Sequence, residues 1–262
     1  MNLPFYWVDA FAEAPFKGNP AGVVPLRSWL DDALMQAIAT ENNLSETAFF
    51  VPEGAGYHLR WFTPTVEVEL CGHATLASGH VVMTVLDAAR NSVTFRSASG
   101  PLGVARDGDW RVLDFPSRPP APIAVPSWLP AALGAEVRAF HDAPGGNTLA
   151  LLGRAAEVRD LVPDIPALGR GLEDRGIIVT APGDDVDFVS RYFAPNHGIP
   201  EDPVTGSAHC TLTPYWADRL GKTTLEARQV SRRGGWLRCT VKGNRVLIAG
   251  RCITYLAGTI SV

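Results

Sequence analysis

The sequence predicts a strand-rich α/β protein of two domains, built from one unit present twice. Three observations lead there. A length of 262 residues exceeds the ~150 of an average domain and fits one large domain or two modest ones. The 25 glycines and 21 prolines interrupt the chain too often for many long helices. Finally, the halves resemble each other: Arg60-Trp61-Phe62-Thr63-Pro64 returns half a chain length later as Arg191-Tyr192-Phe193-Ala194-Pro195. Downstream, Cys71-Gly72-His73-Ala74 returns as Thr205-Gly206-Ser207-Ala208, after a connecting loop three residues longer. Two matches in order at nearly one offset mark a duplication.

Each copy reads as a strand, a proline-containing loop, a glycine turn and a helix. Leu59 to Thr63 carries the β-branched and aromatic side chains of a strand, which Pro64 ends. From Ala74 to Leu86, Leu76, Val81, Val82 and Val85 fit a largely buried helix. In the second copy Leu212, Tyr215, Trp216 and Leu220 follow helical spacing from Ser207 to Leu220, with Gly221 as the stop. A separate helix is expected from Ser28 to about Thr40, opened by a Ser28-x-x-Asp31 cap and burying Leu30, Leu34 and Ile38. The proline-rich stretch from Asp114 to Pro130 reads as a connector, and the apolar runs from Val246 to Val262 read as strand that pairs back with the first domain. The expected domains are thus 1–116 with about 250–262, and 117–249.

Composition narrows the function. With 23 basic and 27 acidic residues the net charge is −4, and a pI near 5.9 denies the chain the basic footprint that nucleic acids or anionic membranes require. An apolar content of 46% with 7 tryptophans argues against disorder. No apolar run approaches the ~20 residues of a membrane span, and the N-terminus lacks a signal-peptide pattern. Cys71, Cys210, Cys239 and Cys252 stand far apart, as reduced thiols of a cytoplasmic protein would. The six histidines show no metal-ligand spacing, so no metal is expected.

Two glycine turns that each enter a helix offer free backbone N–H groups and the positive end of a helix dipole, suited to a carboxylate held in a cleft between the halves. Taken singly, Gly72 and Gly206 would only be tight turns. Acid–base candidates are few. Glu46 precedes the apolar run Ala48-Phe49-Phe50-Val51, although a glutamate at a strand start is ordinarily solvated. Asp202, in Glu201-Asp202-Pro203, is ordinarily a cap or turn carboxylate. His73 at a helix start could donate to a ligand or satisfy a local acceptor.

Taken together, Asp9-Ala10-Phe11, Gly18-Asn19-Pro20-Ala21, Asn43-Leu44-Ser45-Glu46-Thr47, Phe62-Thr63-Pro64, Cys71-Gly72-His73-Ala74-Thr75 and Glu201-Asp202-Pro203-Val204-Thr205-Gly206-Ser207-Ala208 resemble the phenazine-biosynthesis PhzF-like family, which shares its fold with diaminopimelate epimerase. The resemblance departs at Gln229-Val230 and Arg233-Gly234-Gly235, where the family often has Gln-Gly followed by Gly-Arg-Pro. It implies two pseudo-symmetric epimerase-like domains, each a curved sheet wrapped around a central helix, in a homodimer. It further implies a cofactor-independent isomerase that moves a proton between carbons of a small carboxylate. Glu46 would be the shuttle, His73, Asp202 and Ser207 the other catalytic groups, and Asn19, Gly72 and Gly206 the substrate contacts. The epimerase relatives use a cysteine before each glycine turn; Cys71 and Thr205 stand there here. A racemase, epimerase or dehydratase of amino or imino acids is thus the enzymatic alternative, and an inactive carboxylate binder a third.

Overall fold

The computed structural model describes residues 1–262, which form two compact units, Met1–Asp114 with Ala249–Val262, and Phe115–Ile248. In the first unit the strands are β1 (Asn2–Ala10), β2 (Asn19–Pro25), β3 (Glu46–Glu53), β4 (Gly56–Phe62), β5 (Glu67–Val68), β6 (Ser92–Ser97), β7 (Gly100–Asp107) and most of β8 (Trp110–Pro116), with helices α1 (Asp32–Asn42) and α2 (Gly72–Val81). The second unit holds β9 (Ala121–Ile123), α3 (Leu129–Leu133), β10 (Ala139–Ala143), β11 (Asn147–Leu151), α4 (Ala155–Arg159), α5 (Ile165–Leu172), β12 (Gly176–Pro182), β13 (Phe188–Ala194), β14 (Ile199–Asp202), α6 (Gly206–Leu220), β15 (Thr224–Gln229) and β16 (Gly235–Lys242). The last strand, β17 (Arg245–Ser261), returns the chain to the first unit and pairs antiparallel with β1 from Cys252 to Ser261.

Both units follow one plan. β2 runs parallel to β3, which turns back into antiparallel β4; β11 runs parallel to β12, which turns back into antiparallel β13. Arg60 lies opposite Phe49, three residues into its strand from Glu46, and Arg191 lies opposite Val179, three residues on from Gly176. Each arginine grips one carboxylate with two nitrogens: Arg60 holds Glu67 at 2.7 Å twice, and Arg191 holds Glu201 at 2.6 and 2.9 Å. Each guanidinium also covers the phenylalanine of its motif, Phe62 at 5.2 Å and Phe193 at 5.0 Å. The extra residues of the second loop leave this planar, bidentate arrangement intact.

The central helices are buried on nearly every side, as a helix enclosed by sheet must be. In α2 every residue from Gly72 to Gly79 is buried, and the helix packs on β1, β2, β3 and β7. Buried hydroxyls bond back along the helix, Thr75 to the Cys71 carbonyl at 2.5 Å and Ser78 to that of Ala74 at 2.7 Å, so neither hydroxyl is stranded. β7 approaches so closely that a Cβ on Gly79 would meet Val104 Cγ1 at 2.6 Å. In α6, Pro214 supplies no N–H for the carbonyl of Cys210. The backbone N–H of Arg118, from the proline-rich stretch, donates to it at 2.9 Å instead.

Several boundaries differ from the sequence expectation. The first helix starts at Asp32, not Ser28; Asp31 is its N-cap, with no side-chain cap bond, because Leu26 is still tied to Phe50 of β3. Its buried residues are Met35, Ile38 and Ala39, while Leu30 and Leu34 are partly buried. The helix expected to run to Leu86 is α-helical only to Val81 and widens into a π-turn from Val82 to Leu86. Arg106 donates to the carbonyls of Met83 and Ala88, competing for acceptors in that last turn. The second helix runs to Leu220 and stops on Gly221 in the left-handed conformation, φ 63°.

Candidate active site

In the first unit, a short turn brings Glu46 into place. Asn43 ends α1 in the left-handed region, φ 49°, Leu44 dives into the core, and Glu46 opens β3 beside Ala21 of β2. The carboxylate is buried, 9% exposed, unlike the solvated glutamate usual at a strand start. Its Oε2 lies 3.1 Å from Nε2 of His73, in the first turn of α2. Neither atom has a well-aligned hydrogen-bond partner, so the contact is one of charge and proximity.

The far side of the ring faces the start of β2. Asn19 Nδ2 stands 3.2 Å from His73 Nδ1, Ser45 donates its hydroxyl to Asn19 Oδ1 at 3.3 Å, and Cys71 Sγ lies 3.5 Å from the same ring nitrogen. An Asn19 amide donating to Nδ1 puts the proton of a neutral ring on Nε2, facing Glu46; a doubly protonated ring is met when the amide turns its oxygen inward. Burial by itself pulls the His73 pKa down, but Cys71 and Glu46 together hold it well above the ordinary histidine value. Burial and the Glu46 charge push the Cys71 thiol up to about 11. At neutral pH Cys71 is therefore a thiol, and the His73 ring is held toward its protonated form.

The second unit carries a different set on the same scaffold. Asp202 ends β14, and its Oδ2 accepts the Thr205 hydroxyl at 2.5 Å. Gln229, 1% exposed at the end of β15, clamps this segment with three bonds. Its Oε1 accepts from the Thr205 N–H at 2.9 Å, and its Nε2 donates to the Asp202 carbonyl at 2.8 Å and to Thr205 Oγ1 at 3.1 Å. Thr205 thus receives a hydrogen bond from Gln229 and passes one on to Asp202. Ser231 extends the clamp by donating to the Pro203 carbonyl at 2.8 Å. Gly206 begins α6 and Ser207 sits half-buried in its first turn.

At the position matching Glu46 stands Gly176. A Cβ there would meet Tyr192 Oη at 2.1 Å and Asn147 Oδ1 at 2.8 Å; these two side chains bond each other at 2.8 Å and fill the space. The second unit has no room for a carboxylate at that point, so the duplicated scaffold carries one buried glutamate.

Of the residues singled out from the sequence, Glu46, His73 and Asn19 are brought together, with Gly72 at the start of the helix that carries His73. Asp202, Gly206 and Ser207 cluster in the second unit. The sequence reading did not include Gln229, Ser45, Asn147 or Tyr192 among them. Gln229 stood out only as the place where the C-terminal motif diverges.

Comparison with known proteins agrees with this architecture. Residues 8–258 match the sequence profile of the family described as phenazine biosynthesis-like protein, PhzC-PhzF. An uncharacterized isomerase of Pseudomonas aeruginosa is 51% identical, with 99% of both chains covered. A PhzF-family crystal structure from Enterococcus faecalis superposes with a TM-score of 0.96 at 49% identity, covering 100% of both chains. A predicted epimerase of Pseudomonas aeruginosa, 23% identical, shares the fold alone, with a TM-score of 0.77 over 99% of both chains. From Val8 to Gly258, and in the arrangement of its strands and helices, this chain belongs to the phenazine biosynthesis-like, PhzF family.

Proposed function

We propose that the protein is an isomerase that moves a proton between two carbons of a small carboxylate substrate, with Glu46 as the carrier. The observation that carries this reading is the buried Glu46 carboxylate set 3.1 Å from a ring nitrogen of His73. As a base, the carboxylate takes a proton from one carbon: a C–H bond breaks, an O–H bond forms, and the electron pair remains on the substrate. As the resulting acid, Glu46 returns that proton to another carbon, so atoms and electrons balance without a co-reactant. The His73 imidazolium stabilises the anion at whichever partner holds it. Asn19 and Ser45 can turn to match either protonation state of the ring.

We assign Asp202, Ser207 and the backbone donors of Gly72 and Gly206 to holding the substrate. The Gln229–Thr205 clamp positions Asp202, as a group that must meet a ligand within about 0.5 Å requires. The relatives named as isomerases support the reaction class, and the same reading carries the homodimer expected of the family, which sedimentation tests. The alternative, a thiol-based racemase or dehydratase using Cys71 and Thr205, is disfavoured by the protonated state of Cys71 and by a threonine hydroxyl already donated to Asp202. Turnover of small cyclic and acyclic carboxylates by wild type and Glu46→Gln tests the proposal, with a fall of about 10²–10⁴ expected for the variant.

A further inference from the structure

Glu46, Cys71 and His73 offer one ligand atom each, all within 4.8 Å of one another and all on buried residues. A tetrahedral ion with bonds of about 2.0–2.3 Å separates its donors by about 3.2–3.7 Å. Cys71 Sγ stands 3.5 Å from His73 Nδ1 and Glu46 Oε2 stands 3.1 Å from His73 Nε2, so whichever ring nitrogen binds already has one donor near that separation, and the third must swing toward it. The second pair is independently notable. Both atoms are fully buried and lack a well-aligned hydrogen bond, a condition that buried polar atoms rarely tolerate unless a water, an ion or a functional role accounts for it. A thiolate, an imidazole and a carboxylate form a donor set that selects zinc-like cations over magnesium or calcium. The sequence spacing concealed the set, because Glu46 comes from a different element than Cys71 and His73.

We propose that a thiophilic divalent cation of the zinc type binds Glu46, Cys71 and His73, and that while bound it withdraws Glu46 and His73 from proton transfer. Such a cation is an inhibitor of the reaction proposed above, and only this inhibitory half rests on that reading. On binding, the Cys71 thiol and the His73 ring each release a proton to the solvent, and one of the two ring nitrogens becomes the donor. Side-chain rotation brings the three donors onto one ion; water completes the shell.

Binding is tested on the full chain with Co²⁺ as a spectroscopic probe and Zn²⁺ for X-ray absorption, neither of which involves a substrate. One equivalent of Co²⁺ is expected to give a near-ultraviolet thiolate-to-cobalt absorption band. Cys71→Ser should abolish the band and weaken binding about 100-fold or more, and Glu46→Gln should keep the band while weakening binding about 10-fold or more. Cys210→Ser should change neither. Should Cys71→Ser fold poorly, absorption at the zinc edge of the wild type decides alone: one sulfur at about 2.3 Å is expected. A zinc shell of nitrogen and oxygen only, a cobalt band that survives Cys71→Ser, or no stoichiometric uptake overturns the proposal. Because these readouts use no substrate, their failure leaves the Glu46 reading standing; conversely, a Glu46→Gln variant with full turnover leaves the metal site standing.

Discussion

In the second unit one fully buried amide, that of Gln229, holds both the Asp202 backbone and the Thr205 hydroxyl. Thr205→Val removes the donor to Asp202 and strands one Gln229 N–H. Urea unfolding should show a loss of about 1–3 kcal/mol, the cost of a buried unsatisfied group, and Thr205→Ser should restore most of it. An unchanged midpoint for Thr205→Val would mean that the clamp is dispensable. The buried pair of the proposed site is legible because each member sits inside a short motif: Glu46 in Asn43-Leu44-Ser45-Glu46-Thr47, His73 after Gly72. The residues that hold them are not. Asn147 carries no motif, and Tyr192 belongs to the repeat only as the match of Trp61; only the fold reveals that the two fill the space a second glutamate would need. Repeat matching aligned Gly72 with Gly206, yet it gave no sign that Gly176 stands in for Glu46.

At the scale of elements, the repeat predicted strand, loop, turn and helix in the observed order, and the misses are all places where a distant partner competes with local pattern. Arg106 widens the end of α2, and the tie from Leu26 to β3 delays α1. Arg118 caps the carbonyl that Pro214 leaves free, so a helix with an internal proline survives. Close packing makes two tests quantitative. Gly79→Ala forces a methyl into Val104 and should cost about 1–3 kcal/mol, part of which Val104→Ala should recover; a neutral Gly79→Ala would mean that β7 yields easily. The two motif arginines differ in setting. Arg191 has an 11% exposed side chain, against 18% for Arg60, and it also donates to the Leu161 carbonyl at 2.7 Å. Arg191→Leu should therefore destabilise by about 3 kcal/mol and Arg60→Leu by less, as read from unfolding midpoints.

For the molecule as a whole, each unit holds a histidine that folding keeps neutral, His80 partly buried and His209 fully buried. Burial, reinforced by Arg111 and Arg106, lowers the His80 pKa to about 4, and burial lowers that of His209 to about 4 despite its bond to the Thr205 carbonyl. Unfolded, both titrate near 6.5. Below that value the unfolded chain binds protons that the folded chain refuses, so stability present above pH 6.5 declines as pH falls toward 4, by up to about 3 kcal/mol per histidine. His73, whose pKa is raised, adds stability that is fully present below its unfolded value of about 6.5 and is lost as pH rises above it, so its slope lies above this window. His209→Gln should flatten the decline in urea midpoint between pH 6.5 and 4; an equally steep decline would place the acid sensitivity elsewhere. Proton transfer is the function we propose for the Glu46–His73 pair, and solvent deuterium incorporation measures it directly. Each of wild type, Glu46→Gln and Cys71→Ser should be incubated in D₂O with a carboxylate that the wild type isomerises. Exchange into carbon should fall about 10²–10⁴-fold for Glu46→Gln and stay within about 10-fold of wild type for Cys71→Ser. Near wild-type exchange in Glu46→Gln together with its loss in Cys71→Ser would contradict the account and make the thiol the proton carrier.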